Sequence, residues 1–223
     1  MINPDSGIFR VARKLNLNFR IFAPFKQWLM SFNSINPAHA FLKNYCNGEV
    51  IDVGANIGNY SSYFLKNGAR VHAFEPTPET FKLLKSKLKN KNVVCYNVLV
   101  GNSIGKTKFY FSGTSGENSA IPQKELTHEI ELYQTKLDEY NFVNVSLIKI
   151  DVQAMDFEVL LGAVKTLEKH KPSILIECWE EGLKARGYSV KHINDFMAAC
   201  GYMGEKVYDC GNYHDMFFRP IKK

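Results

Sequence analysis

From residue 49 onward, short apolar runs alternate with stretches whose apolar residues recur every three or four positions. The runs predict strands near 49–53, 70–75, 92–97, 145–150, 173–178, 202–208 and 214–218. The longer period predicts helices over 58–67, 78–89, 156–168 and 191–200, the second opening on Pro78 with a Phe81, Leu84, Leu88 stripe. Strands separated by helices need crossover connections, so the expected fold is α/β with a mostly parallel sheet covered on both faces. Between 101 and 140 the pattern changes. Gly101, Gly105, Gly113 and Gly116 punctuate an expected hairpin at 106–111, a loop at 112–128 and an extended piece near 129–134, which together suit a substrate-facing insertion. Residues 1–47 differ again, with apolar residues interleaved among basic ones and Pro24 and Pro37 breaking the segment into short pieces. They are read as a helical N-terminal extension ahead of a domain spanning 48–223. The alternative is an amphipathic segment in peripheral contact with a membrane surface or a partner.

The first strand carries the candidate chemistry. Val50-Ile51-Asp52-Val53 runs into Gly54-Ala55-Asn56-Ile57-Gly58, and Val71-His72-Ala73-Phe74 ends in Glu75. A buried strand, a glycine-containing turn, a helix and a second strand ending in an acid form the layout of a nucleoside-cofactor site. A dinucleotide site wants a third glycine at position 56, where this chain has asparagine, which disfavours an NAD(P)-dependent dehydrogenase. Gly54-x-x-x-Gly58 preceded by Asp52 suits S-adenosylmethionine instead, a cation without phosphate. Asp52 would take the cofactor's ammonium. Gly54 would leave room for the ligand, and Gly58 would start the helix close to the sheet with its N–H groups facing the cofactor. Glu75, about 20 residues past Gly54, would accept hydrogen bonds from the ribose. Ala55, Asn56, Pro76, Thr77 and Val98 complete the candidate cofactor positions.

Composition narrows the class without changing it. The 223 residues are 45% hydrophobic and 22% charged, ordinary for one globular domain. A net charge of +6 fits an anionic substrate or surface but supplies no nucleic-acid platform. The Lys82, Lys85, Lys87, Lys89, Lys91 run reads as the solvated face of a helix. Cys46, Cys95, Cys178, Cys200 and Cys210 are odd in number and scattered, giving neither a disulfide framework nor zinc spacing, which suits a reducing, cytoplasmic setting. No apolar run reaches the length of a membrane span.

Two further strands also deliver acids: Val145 to Asp151 and Ser173 to Glu177. Ligands of open α/β sheets bind beyond the carboxyl ends of the strands, so Asp52, Glu75, Asp151 and Glu177 would collect along one edge. Asp151 and Glu177 could hold a divalent cation such as Mg2+ through oxygen ligands, or orient a substrate hydroxyl. His214, beside Asp215, is a candidate base, because imidazole titrates near neutrality. Asn118 and Ser119, with His128 more weakly, are candidate substrate contacts in the insertion, whereas His72 lies inside a strand and reads as structural.

The Asp52–Gly58 segment, Phe74-Glu75-Pro76, Thr135 to Tyr140, Leu147 to Val152 and Lys171 to Glu177 occur in the order found in FkbM-type S-adenosylmethionine-dependent methyltransferases, which residues 48–219 resemble. The resemblance implies a seven-stranded Rossmann-like sheet and O-methylation of a sugar, a glycan or another hydroxyl-bearing small molecule. One block departs from the pattern. Where that family continues Asp-Val with Glu-Gly, this chain has Gln153-Ala154. Gln153 can bond a substrate but cannot take a proton, which leaves Asp151, Glu177 or His214 for the chemistry. It also keeps open a non-catalytic module that binds the cofactor without using it.

Overall fold

In the computed structural model the described residues are 35–111 and 128–222. Residues 1–34 of the extension expected over 1–47 lie outside them, and with them most of its membrane-contact reading, as do Asn118 and Ser119. Among the described residues there are ten strands: β1 (Glu49–Val53), β2 (Arg70–Phe74), β3 (Val93–Tyr96), β4 (Leu99–Val100), β5 (Gly105–Phe111), β6 (His128–Thr135), β7 (Val145–Ile150), β8 (Ser173–Cys178), β9 (Tyr202–Asp209) and β10 (His214–Pro220). Seven form one sheet in the order β3-β2-β1-β7-β8-β10-β9, with only β10 antiparallel to its neighbours. The helices are α1 (Asn59–Lys66), α2 (Pro78–Lys87), α3 (Asp156–Leu161), α4 (Val164–His170), α5 (Glu180–Ala185) and α6 (Val190–Ala199).

Alternation along the strands sorts the core onto two faces. Val50, Leu147, Leu175 and Phe217 pack on one side with Phe64 of α1 and Leu84 of α2. Ile51, Ile148, Ile174 and Phe218 pack on the other with Leu160 and Met197. Burying each such side chain contributes roughly 1.5–3 kcal/mol, which explains why β1 tolerates burial on both faces. Glu49 and Asp52 are its polar members, and Asp52 shares a row with Ala73 and Lys149.

Two expectations are corrected. The helix expected over 156–168 is two helices, broken at Gly162-Ala163. A Cβ on Gly162 would fall 2.0 Å from the Gly101 carbonyl oxygen, and Asp138 restarts the helix by accepting the N–H groups of Lys165 and Thr166 at 3.0 and 2.9 Å. The hairpin expected within 106–111 is a single strand, β5, paired antiparallel with β6. With β4 these make a second, three-stranded sheet. A compact unit begins at Asn36. A 3-10 helix over Pro37–Tyr45 buries Leu42 and places Phe41 and Tyr45 edge-on to Phe217, with ring centroids 4.9 and 5.0 Å away.

Candidate active site

Strand order reverses between β1 and β7, and the crevice beyond their carboxyl ends is where such sheets bind ligands. A cavity of about 230 Å³ opens there. One wall comes from the β1 and β2 ends: Gly54, Asn56, Glu75, Pro76 and Thr77. Gly54 has φ +74°, and a Cβ on it would fall 1.9 Å from the Asp151 carbonyl oxygen, so only glycine lets the turns after β1 and β7 meet. Asn56 also sits left-handed, at φ 49°, and its N–H donates to Glu75 Oε2 at 3.0 Å while the Thr77 N–H donates to Oε1 at 2.9 Å. Glu75 is thereby aimed at the cavity. Burial pushes its pKa above the usual carboxylate range despite those bonds.

The opposite wall holds Asp151, Gln153 and Glu177, with Leu99, Phe109 and Val152 as apolar lining. Gln153 Nε2 donates to Glu177 Oε1 at 3.2 Å and lies 3.4 Å from Asp151 Oδ1. Lys149 stands behind this wall, 4% exposed, with Nζ 3.0 Å from Asp151 Oδ2, 3.2 Å from the Gly54 carbonyl oxygen and 3.7 Å from Asp52 Oδ1. It also lies over the Tyr60 ring, 5.1 Å from the centroid. Burial alone would lower the ammonium's pKa, but Asp151 and Asp52 more than reverse that and leave it above the ordinary lysine value.

Gln153 and Ala154 have φ of 50° and 81°, a left-handed backbone uncommon for non-glycine residues. The chain therefore keeps a glycine-like turn at two non-glycine residues. Asp156 pins it, accepting the N–H groups of Val152 and Ala154 at 3.0 and 3.1 Å, and burial pushes its pKa up to about 7.

Several sequence-predicted residues stand elsewhere. Asp52 is fully buried and is not among the cavity's lining residues. It accepts a hydrogen bond from Ser61 Oγ at 2.6 Å and neighbours Lys149, because strand alternation turns it toward α1. Ala55 and Val98 pack into the two core clusters. Gly58, at φ 85°, caps α1, and a Cβ on it would meet Leu84 at 2.7 Å, so its smallness serves the packing of α1 on α2. His214 does not line the cavity; its neighbour Asp215 shares a row with Glu177. Asp215 Oδ2 lies 3.1 Å from Nε2 of buried His39, whose Nδ1 is 2.6 Å from the Tyr60 hydroxyl. His72 lies in the sheet, near Glu49 at 3.4 Å and the Tyr96 hydroxyl at 3.2 Å. The Mg2+ expected on Asp151 and Glu177 finds no ligand set. Among the described residues no group of three or more His, Cys, Asp or Glu side chains is placed to hold a metal, and an amide and an ammonium face these two carboxylates. Sequence reasoning missed Lys149, whose signal was a lone lysine in an otherwise apolar strand, and His39, which offered no signal.

Glu177 is the most perturbed acid of the wall. Burial first, then Asp151, Asp156 and Asp215, push its pKa up to about 9. Its native pKa exceeds the ordinary value near 4.5, so folding loses stability as pH rises from there toward 9. Glu177→Gln is therefore expected to raise the unfolding free energy at pH 7 by about 1–3 kcal/mol and to change it little at pH 4. Urea unfolding at both pH values checks this, and equal gains at both would remove the titration argument.

A profile of the methyltransferase FkbM domain matches residues 52–203. Among solved structures, the methyltransferase FkbM of Methylobacillus flagellatus KT superposes with a TM-score of 0.56 at 14% identity, over 77% of this chain and 43% of that one. This chain thus spans less than half of that protein. SMU.1697c, a methyltransferase of Streptococcus mutans solved with SAH, gives 0.52 at 13% identity over 84% and 100%. An rRNA methylase of Streptococcus thermophilus gives 0.51 at 11% over 85% and 99%. At such identities these likenesses establish the fold, that of class I methyltransferases. No curated protein matches the chain. The profile covers most of the sequence, from the acid of β1 to the start of β9, and this protein belongs to the FkbM methyltransferase family.

Proposed function

We propose that this protein is an S-adenosylmethionine-dependent O-methyltransferase acting on a hydroxyl of a sugar or glycan. The carrying observation is a single cavity with Glu75 on one wall and Asp151, Gln153 and Glu177 on the other. The residues fit the donor. None of the lining residues is a cation, and Lys149, the nearest, is taken up by Asp151 and Asp52. Such a site favours a cation over a pyrophosphate, and the side chain of Asn56 stands where a dinucleotide would need glycine.

S-adenosylmethionine supplies an electrophilic methyl group on a cationic sulfur. Glu75, held by two backbone N–H groups, would accept hydrogen bonds from the ribose hydroxyls. Leu99, Phe109 and Val152 exclude water beside the reacting atoms. Asp151, fixed by Lys149, would position the acceptor so that its hydroxyl oxygen could approach the methyl group, leaving the hydroxyl proton to another carboxylate of the wall. An alcohol has a high pKa, so a carboxylate must take its proton as the new bond forms. A polyhydroxylated acceptor suits this wall, which offers two carboxyl groups and an amide. A cytoplasmic setting fits the five cysteines, none of which is in a disulfide, and no helix among the described residues is long and apolar enough to cross a membrane.

A labelled-methyl transfer screen over sugars, nucleotide sugars, glycans and simple alcohols tests the acceptor class; transfer to nitrogen acceptors alone would overturn it. Glu75→Ala is expected to weaken S-adenosylmethionine binding by about 10- to 100-fold, the worth of one or two hydrogen bonds to a charged group. An unchanged dissociation constant by calorimetry would sink the ribose assignment. Gln153, an amide that cannot take a proton, favours one second reading: a module that binds the donor but never yields S-adenosylhomocysteine with any acceptor.

A further inference from the structure

We propose that Glu177 exchanges a proton for the positive charge of the methyl donor. In the donor-free protein its carboxyl is protonated; it releases that proton as the sulfonium enters, and takes up the acceptor hydroxyl's proton as the methyl group is transferred. This rests on the reading of the cavity as a donor site.

The other acids of the cluster each have partners of their own. Asp52 has Ser61 Oγ and Lys149, and Asp151 has Lys149 and the Gln153 amide. Asp156 and Glu75 each accept two backbone N–H groups, and Asp215 faces His39 Nε2. Glu177 has the shared Gln153 amide alone, with neither a cation nor a backbone N–H among the described residues. Around it stand Asp151 and Lys149 from β7, Asp156 from α3, Asp215 from β10 and Tyr213 from the turn before β10. Lys149 Nζ is committed to Asp151, Asp52 and the Gly54 carbonyl. His39 lies beyond Asp215 and is tied to the Tyr60 hydroxyl. Of these acids Glu177 is the one whose charge the protein leaves uncompensated, and its raised pKa follows from that placement.

The cycle balances. On transfer the S–CH3 bond breaks and its electron pair stays on sulfur. The acceptor oxygen forms the new O–CH3 bond, and its proton passes to the Glu177 carboxylate. A sulfonium and a carboxylate disappear together, leaving a thioether and a carboxylic acid. The buried site thus carries the same net charge before donor binding, with donor bound and after transfer, so no stage leaves an uncompensated charge.

The test needs no acceptor. Calorimetry of the full chain at pH 7.0, in buffers of different ionisation enthalpy, counts protons released on binding. S-adenosylmethionine is expected to release roughly 0.5–1 proton per site and S-adenosylhomocysteine less than about 0.2. Glu177→Gln is expected to bind S-adenosylmethionine without the release. Binding of S-adenosylmethionine with no more release than the thioether, or release that persists in the variant, overturns the proposal. Binding of neither ligand overturns the donor reading itself. If the variant does not fold, the wild-type pH series decides. The S-adenosylmethionine dissociation constant should fall by up to about tenfold per pH unit from 6 to 7.5 while that of the thioether stays flat; parallel curves overturn the proposal.

Discussion

Asp151→Ala is expected to lower methyl transfer by about 100-fold or more, toward an acceptor identified by the labelled-methyl screen, while weakening donor binding by less than about tenfold. The asymmetry follows from where Asp151 sits. Its Oδ2 is held by Lys149 and its Oδ1 lies beside the Gln153 amide, so the carboxylate is fixed on the wall facing Glu75 and has an edge open to the cavity. The donor's ribose contacts come from Glu75, on a different strand, and survive the change. Removing Asp151 also removes the nearest negative charge acting on Glu177, which makes Glu177 a stronger acid and leaves it more often ionised. A loss of rate in Asp151→Ala therefore reports on aiming the hydroxyl, not on a missing proton acceptor. Asp151→Asn sharpens this, because it keeps the shape and an oxygen for Lys149. If its rate falls as far as that of Asp151→Ala, the charge matters; if it recovers most of the rate, position alone suffices. Near-normal transfer by both variants would remove Asp151 from the site's chemistry.

The sequence disclosed the sheet because its strands are apolar on both faces, which few other structures require. The seven strands of the main sheet stand where their apolar runs predict them. The break at Gly162 escaped because it depends on a backbone approach from Gly101, distant in sequence. At the cavity stand the turn residues Gly54 and Asn56, the strand-end acids Glu75, Asp151 and Glu177, and Pro76, Thr77 and Gln153, all named from the sequence pattern. Alternation misled at both ends of the sheet. Asp52 and Asp151 both belong to acid-bearing strands, yet Asp52 lies inside β1 and turns inward, whereas Asp151 lies one residue past β7 and reaches the cavity. His214 and Asp215 point to opposite faces for the same reason, so the acid and not the histidine joins the row of Glu177. His39 was illegible because its partners, Tyr60 and Asp215, are brought to it only by the tertiary fold.

Lys149→Met is expected to destabilise the protein by about 3–5 kcal/mol at pH 7.5, the cost of leaving a buried carboxylate without its cation. Methionine nearly preserves the volume, so packing contributes little. Asp52 is fully buried and keeps only Ser61 as a hydrogen-bond donor once Lys149 is gone; Asp151, at the cavity edge, retains access to water. Burial already raises the Asp52 pKa, with Lys149 the main force lowering it. Without that lysine the native pKa climbs further above the unfolded value near 3.9, and the deficit must then grow as pH rises from that value. Urea unfolding at pH 4 and 7.5 should show a small loss at the first and the full loss at the second. Adding Asp52→Asn should restore most of the stability at pH 7.5, a coupling that a double-mutant cycle measures directly. A deficit equal at both pH values, and unrelieved by Asp52→Asn, would mean lost packing and not lost charge. The cycle also decides what the acid of β1 is for. If Asp52 were the partner of the donor's ammonium, Asp52→Asn alone would weaken donor binding at every pH. If it is the counter-ion that keeps Lys149 charged behind Asp151, the effect appears as stability, and the donor still binds.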